Sequence, residues 1–189
     1  MKSKSVMIIF GVLVVLALVG GAWQTSVFAQ TVPPVVPADN GTGGGGPVIP
    51  PAGGATANQT VENGKAALVT SGGWQVSAGK NVLPAGDVLG VTIPGNLPGA
   101  GSVSAITGGM YTTLTNNGAN VELSGNQKVV VSFKLSQDQL DAFKKDPNAG
   151  ILWYDPVKKS WVRLSATLNG DTLSVETSGL GYFVVGSLK

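Results

Sequence analysis

The chain has 189 residues, of which 12% are charged, and contains neither cysteine nor histidine, which excludes disulfides, thiolate metal sites and histidine-based catalysis. The length allows one ordinary domain with accessory segments. Lys2 and Lys4 lie at the N-terminal end, and the remaining residues carry equal numbers of basic and acidic side chains. A balanced chain has no clustered basic face for phosphates, which argues against nucleic-acid binding.

Residues 1–29 have the pattern of a secretory signal peptide. A positive end, "MKSKS", precedes an apolar run from Val6 to Trp23, and the small residues Val27 and Ala29 predict cleavage after Ala29. The run is also nearly long enough to cross a bilayer as an uncleaved helical anchor, which would be the only contact with the membrane. Both interpretations keep the N-terminus in the cytoplasm, because the lysines precede the run. The rest of the chain is therefore predicted to be extracytoplasmic, either secreted or at the cell surface.

Residues 30–58 are rich in proline and glycine and have no periodic apolar face. Prolines favour extended polyproline-like backbone and glycines add flexibility, so this segment is predicted to be a disordered linker. A surface linker is favoured over a proline-rich recognition motif, because no basic residue accompanies the prolines.

Residues 59–189 are predicted to form an all-β domain, an antiparallel β-sandwich. Apolar and polar residues alternate in "VLGVTI" and in "KVVVSFKL", and period two is typical of half-buried strands. Weaker runs follow at the short spacing of a sandwich, and Trp74 is predicted to lie in the core. One short helical turn is predicted in "SQDQLDAFKKDP", where Ser136 and Gln139 form a capping box and Pro147 marks the end.

Two hairpins are predicted near the C-terminus. Asn169-Gly170 favours a two-residue type I′ loop, which would pair Arg163 with Glu176. A four-residue loop over 156–159 would pair Tyr154 with Trp161 and turn Trp153 into the core. Tyr154, Trp161 and Arg163 would then share the outer face, whereas a five-residue loop would reverse these assignments.

The C-terminal half of the chain resembles a known family. The order of "VTIPGNLPG", "VVVSFKLSQDQL" and "ILWYDPVKKSWVRLSATLNGDTLSVETSGLGYFVVG" resembles the ankyrin and netrin-receptor type of β-sandwich in bacterial surface proteins, over about residues 83–187. The resemblance implies a module for display and protein contact outside the cell, and names no ligand. Some relatives cut themselves at a His-Phe-Ser step, which this chain lacks.

Tyr154, Trp161 and Arg163 are the candidate ligand-binding residues, because exposed rings offer apolar faces and arginine adds a planar set of donors. The alternative is that the two rings are cross-strand packing at the edge of the sandwich. Two functions follow. The first is a non-catalytic envelope or secreted protein with a structural or protein-interaction role. The second is a carbohydrate-binding module for a cell-surface glycan.

No catalytic residue, metal ligand or cofactor is predicted. Carboxylates are the main remaining catalytic groups, and Asp146, Asp155 and Asp171 lie in turn sequences that favour aspartate for structural reasons. "NGTGGGGP" and "LPGAGS" are rich in glycine, but they lack the Lys-Ser/Thr ending of a phosphate-binding loop.

Overall fold

The computed structural model describes residues 56–189, which form two antiparallel β-sheets and one helix. The predicted signal peptide and most of the predicted linker lie outside the described residues. Within residues 56–189 no helix is both long and apolar enough to cross a bilayer. The elements are β1 (Thr56–Thr60), β2 (Ala67–Ser71), β3 (Trp74–Ala78), β4 (Val88–Thr92), β5 (Val103–Ala105), β6 (Met110–Asn116), β7 (Ala119–Asn120), β8 (Val129–Lys134), α1 (Gln137–Lys145), β9 (Gly150–Asp155), β10 (Ser160–Arg163), β11 (Thr167–Asn169), β12 (Thr172–Thr177) and β13 (Gly181–Leu188).

The predicted all-β class is confirmed, and the arrangement is consistent with a sandwich. The larger sheet has the strand order β1-β4-β6-β13-β9-β10, with β5 beside β13 and β7 beside β6. The smaller sheet has the order β11-β12-β8-β3-β2. The apolar faces of the two sheets enclose the main core.

Period-two alternation locates the core as predicted. Leu89 and Val91 of β4 are fully buried, as are Val129 and Val131 of β8. Trp74 is also a core residue, with 1% of its surface exposed. Its ring meets Phe133 edge to face at 4.8 Å, and its indole Nε1 donates to the Gly108 carbonyl at 3.0 Å.

The helix α1 is confirmed. Ser136 and Gln139 form the predicted capping box, in which each side chain accepts a hydrogen bond from the other residue's backbone N–H. Leu140 is buried and Phe143 packs partly against the core, so the apolar face of the helix lies on the sandwich.

The folded region begins earlier than predicted. β1 starts at Thr56, inside the range 30–58 that was assigned to the linker, and pairs with β4 along its length. The sequence of β1, "TANQT", contains a single apolar residue, so it carries no alternation that would predict a strand. Backbone pairing to an existing strand is sufficient to order it.

The two sheets are connected at both sides. On one side β1 of the larger sheet lies beside β2 of the smaller one, and the Gln59 side-chain oxygen accepts a 2.6 Å hydrogen bond from the Leu68 backbone N–H. On the other side the chain passes directly from β10 to β11 through residues 164–166.

This crossing corrects the predicted pairing of Arg163 with Glu176. That pairing needs one strand to continue from Arg163 to the Asn169-Gly170 loop, but β10 belongs to the larger sheet and β11 to the smaller. The chain changes sheets because Leu164 and Ala166 both pack against the main core at the corner. Arg163 and Glu176 therefore lie in different sheets, and the predicted ion pair is absent. Glu176 instead pairs with Lys128 at 3.4 Å.

The loop of the last predicted hairpin is also shifted. Asn169 pairs with Thr172, so the two-residue loop is Gly170-Asp171, and of its two residues Gly170 has a positive φ, +63°. Type I′ requires positive φ at both central positions, so that prediction is wrong. The pairing of β11 with β12 is shifted by two residues from the predicted pairing. Because side chains alternate between faces, an even shift keeps each on its predicted face, and Leu173 and Val175 still face the core.

Positive φ at both loop positions occurs in two other hairpins. Gly72 and Gly73 join β2 to β3, and Asn117 and Gly118 join β6 to β7, each as a two-residue loop. The second of these is an Asn-Gly pair like the one at 169–170. The same dipeptide therefore adopts different roles, because core packing of the flanking strands decides which residues form the loop.

We expect Gly170→Val to lower the free energy of unfolding by about 1 kcal/mol or more, because a β-branched side chain disfavours positive φ. Asn169→Val is the matched control, since Asn169 lies in β11 and is not among the residues with positive φ. Urea denaturation of both variants measures the difference. Equal losses would contradict the loop assignment.

Candidate functional site

Four aromatic side chains form a row across the outer face of the larger sheet. Tyr111 of β6 is paired with Tyr182 of β13, and Tyr154 of β9 is paired with Trp161 of β10. The pairing of Phe183 with Trp153 places Tyr182 beside Tyr154. We call these four residues the aromatic row. Its ring contacts are Tyr111 to Tyr182 at 4.5 Å and Tyr154 to Trp161 at 5.4 Å.

The hairpin containing Tyr154 and Trp161 has the predicted four-residue loop, so these residues share the outer face with Arg163 as expected. Trp153 turns inward against the core, and its indole donates to the Leu180 carbonyl at 2.8 Å. The expectation that Trp161 is exposed is wrong, because only 5% of its surface is accessible.

A segment after β4 covers part of the aromatic row. The Trp161 indole donates to the Pro98 carbonyl at 2.8 Å, and Leu97 packs into a second, smaller core on the outer face. This core explains the burial of Trp161. Its fully or largely buried members are Val103, Tyr111, Leu152, Trp161, Tyr182 and Val184.

Arg163 has a structural contact. Its guanidinium donates to the Ala149 carbonyl at 2.9 Å, and its side chain lies over Gly150, where a Cβ atom would come within 2.9 Å of the Arg163 Nε. Arg163 thus holds the start of β9 rather than extending the aromatic row. Of the three predicted site residues, Tyr154 alone lines the groove described next.

A groove of about 940 Å³ opens beside the aromatic row. It forms where β13 begins at Gly181 and leaves a gap between β7 and the end of β9. Its walls come from residues 96–98, 120–123, 153–157 and 177–182, together with residues of β6. Aromatic and aliphatic side chains dominate, among them Tyr111, Tyr154, Tyr182, Trp153 and Leu123. We call this feature the groove.

The charges around the groove are acidic. Glu122 and Asp155 are among its lining residues, which include no lysine or arginine. Burial raises the pKa of Tyr111 and of Tyr182, and the proximity of the two hydroxyls adds to the shift of Tyr111. Both phenols are therefore protonated at neutral pH, and the groove suits neutral or basic ligands better than anionic ones.

The turn roles predicted for the aspartates are confirmed. Asp155 Oδ1 accepts hydrogen bonds from the backbone N–H groups of Val157 and Lys158 at 2.9 and 3.0 Å. Asp146 accepts one from the Asn148 N–H at 2.9 Å, and Asp171 is the second residue of its loop. Within residues 56–189 no group of three or more potential ligands is arranged to hold a metal ion.

Asp155 predicts a pH dependence of stability. The backbone N–H of Lys158, followed by that of Val157 and the Lys158 ammonium, lowers the pKa of Asp155 below its ordinary value. A lowered folded-state pKa contributes stability above the unfolded-state pKa, and this contribution is lost as the pH falls through the folded-state value.

We therefore expect Asp155→Asn to melt at a lower temperature than the parent at neutral pH, with the difference shrinking below about pH 4. Melting curves from neutral to acidic pH measure this convergence. Glu122→Gln, which neutralises an exposed carboxylate of the same groove, is the matched control and should track the parent. A difference for Asp155→Asn that stays constant with pH would contradict a role for the charge.

Comparison with known proteins found no matching family model, no matching curated protein and no matching solved structure. The resemblance to the ankyrin and netrin-receptor type of domain stays a prediction. What the fold and the groove define is an antiparallel β protein with an aromatic groove on one sheet.

Proposed function

We propose that this chain is a non-catalytic protein of the cell envelope or the secreted fraction, and that its β domain has a structural or protein-interaction role. The observation that carries the proposal is the groove, which in our view binds an extended, uncharged segment of a partner protein. Ligand sites are typically concave and mainly apolar, with a few polar groups that fix orientation, and the groove has this character.

The chemistry of the walls favours a peptide without negative charge. Tyrosine and tryptophan provide apolar faces with a polar tip, which suits the mixed surface of a peptide backbone. The exposed Glu122 carboxylate would repel an anionic ligand, whereas the charge of Asp155 is partly offset by the Lys158 ammonium at 3.6 Å. A neutral segment loses little hydration on entering such a groove.

The extracytoplasmic location is proposed from the N-terminal sequence. The positive end, the apolar run and the Val-x-Ala site are the pattern of secretion, and an uncleaved run would tether the domain to the outer side of the membrane. The resemblance to surface β-sandwiches agrees with this location.

A photoreactive benzoylphenylalanine at position 157 tests the protein contact on intact cells. Val157 lies at the groove and is 89% exposed, so a probe there should not disturb folding. We expect an adduct whose cross-linked site is an extended, uncharged segment of an envelope protein. The same probe at Leu68, which is 52% exposed on the smaller sheet, is the control and should give no such adduct. Recovery of monomer alone from both positions would count against the proposal.

A carbohydrate-binding module is the second candidate, because Tyr154 is only half-buried and lines the groove, where a sugar ring could stack. Titration of the full chain with neutral polysaccharides, beside Tyr154→Ala, tests it. Binding that is lost in the variant would favour this candidate over peptide binding. Trp161→Ala is a poor test here, because the loss of a buried ring affects folding.

A further inference from the structure

We propose that the partner segment binds in the groove as an added β-strand, antiparallel to β7 and hydrogen-bonded through its main chain to Asn120. This inference rests on the proposed function, peptide binding in the groove, and adds the conformation and the residue pattern of the bound segment. The expected pattern is an alternation of apolar and uncharged polar residues.

The outer edge of β7 has a backbone donor and a backbone acceptor without partners. β7 pairs with β6 alone, and in this pairing Asn120 lies opposite Thr115. The next residue, Val121, donates its N–H to the Leu114 carbonyl at 2.8 Å. Hydrogen-bonded and non-hydrogen-bonded pairs alternate along an antiparallel ladder, so the pair formed by Asn120 is a non-hydrogen-bonded one. The N–H and C=O of Asn120 therefore point away from β6, and no partner for them is present within residues 56–189.

This free edge faces the groove. Residues 120–123 form one wall, and residues 153–157, at the end of β9, form another. An extended segment that adds to a sheet edge gains main-chain hydrogen bonds, while pockets for alternate side chains give selectivity. In an antiparallel addition, a single residue of the segment donates to the Asn120 carbonyl and accepts from the Asn120 N–H. Two such bonds are few, so contacts between side chains and the groove walls have to contribute as well.

The two faces of this edge differ in polarity. Val121 and Leu123 pack partly against the main core, whereas Asn120 and Glu122 are exposed. Directly opposed residues of neighbouring strands lie on the same face of a sheet. Residues of the segment opposite Val121 and Leu123 would therefore meet the apolar side of the groove, where Trp153 also lies. Residues opposite Asn120 and Glu122 would face outward, which gives the pattern apolar-polar-apolar-polar.

Charge restricts the outward positions. Glu122 carries an exposed carboxylate, and like charges directly opposite each other destabilise strand pairing. No lysine or arginine is among the residues that line the groove. The position opposite Glu122 therefore excludes an acidic residue.

The test uses the purified full chain and a blocked synthetic peptide, Ser-Val-Thr-Val-Thr-Ser, whose affinity is measured by titration. With the valines turned inward, both threonine N–H groups point toward β7 and both valine N–H groups point away. Methylation of the two threonine nitrogens should lower the affinity by about tenfold or more, because it removes the main-chain donor and places a methyl group against the edge. Methylation of the two valine nitrogens is the matched control and should leave most of the affinity.

Two variants at one position test the protein side. Asn120→Pro removes the backbone N–H that points into the groove, and an edge strand tolerates proline where the N–H faces outward. We expect this variant to bind the peptide about fivefold more weakly or worse, whereas Asn120→Ala, which keeps the N–H, should bind as the parent does. Melting curves check that both variants are folded, and the methylated peptides test the same hydrogen bonds without any substitution.

A third comparison tests the charge at the edge. The peptide with aspartate in place of its first threonine, which would lie opposite Glu122, should bind the parent more weakly than the original does. Glu122→Gln should remove this difference. An equal difference in Glu122→Gln would overturn the placement of that residue beside Glu122.

Equal affinity of the parent for the two methylated peptides, or of Asn120→Pro and Asn120→Ala for the original, would overturn strand addition. Benzoylphenylalanine at position 157 then separates the two proposals. A peptide that cross-links to this position regardless of methylation would leave peptide binding in the groove intact and overturn only the added strand. A peptide that neither binds nor cross-links overturns the inference, and the absence of an adduct on intact cells would overturn the proposed function as well.

Discussion

Replacing Trp74 by alanine is expected to lower the free energy of unfolding by about 3–5 kcal/mol, the usual loss for a buried tryptophan. The side chain is 1% exposed, meets Phe133 edge to face and donates its indole hydrogen to the Gly108 carbonyl. Alanine would leave a cavity between the sheets and remove one donor to that carbonyl, which the Thr107 hydroxyl also contacts at 3.0 Å. Both changes destabilise the folded state.

Chemical denaturation of the full chain measures this loss, with Leu68→Ala as the control on the solvent face of the same sheet. Leu68 is 52% exposed, so its truncation should change the stability little. Trp74→Phe, which keeps an aromatic ring but removes the indole donor, should fall between the two. A loss below about 1 kcal/mol for Trp74→Ala would mean that the ring is not a core residue.

Gly186→Ala is the second substitution with a large expected effect. A Cβ atom at this position would lie 2.3 Å from the Ser104 carbonyl oxygen and 3.0 Å from the Ala105 Cα, both of which are backbone atoms of the strand paired with β13. Backbone cannot rotate away as a side chain can, so the strands would have to separate. We expect a loss at or above the upper end of the usual overpacking range, about 3 kcal/mol.

Gly95→Ala is the matched control, because the new Cβ would meet no atom within 4 Å. Thermal and urea unfolding of the two variants, measured side by side, give the comparison. Equal stability of Gly186→Ala and Gly95→Ala would contradict the close approach of β5 to β13.

The parts of the fold that follow from local pattern were predictable. Alternation gave the faces of β4 and β8, the capping box gave the start of α1, and loop length gave the pairing of Tyr154 with Trp161. Each of these depends on residues close together in the chain. β1 was missed because its order comes from pairing with β4, which its own sequence does not encode.

The candidate site was only partly predictable for a related reason. Strand register is enough to put Tyr154 and Trp161 on the outer face, but the exposure of that face depends on what covers it. Leu97 and Pro98 come from a connection more than fifty residues away in sequence, and no local pattern links them to Trp161. Tyr111 and Tyr182 were not singled out, because their alternation with core residues looks the same as that of any strand.

The short edges of the two sheets bear on how the protein behaves at high concentration. An open strand edge is a template on which other chains can add strands and aggregate. Here the Gln59 side chain accepts a hydrogen bond from the Leu68 N–H of β2. The edge strands on the other side, β10 and β11, are only four and three residues long and are joined by residues 164–166. Edges this short offer little backbone for recruiting another molecule. Polymerisation through β-strands at high protein concentration is thereby limited.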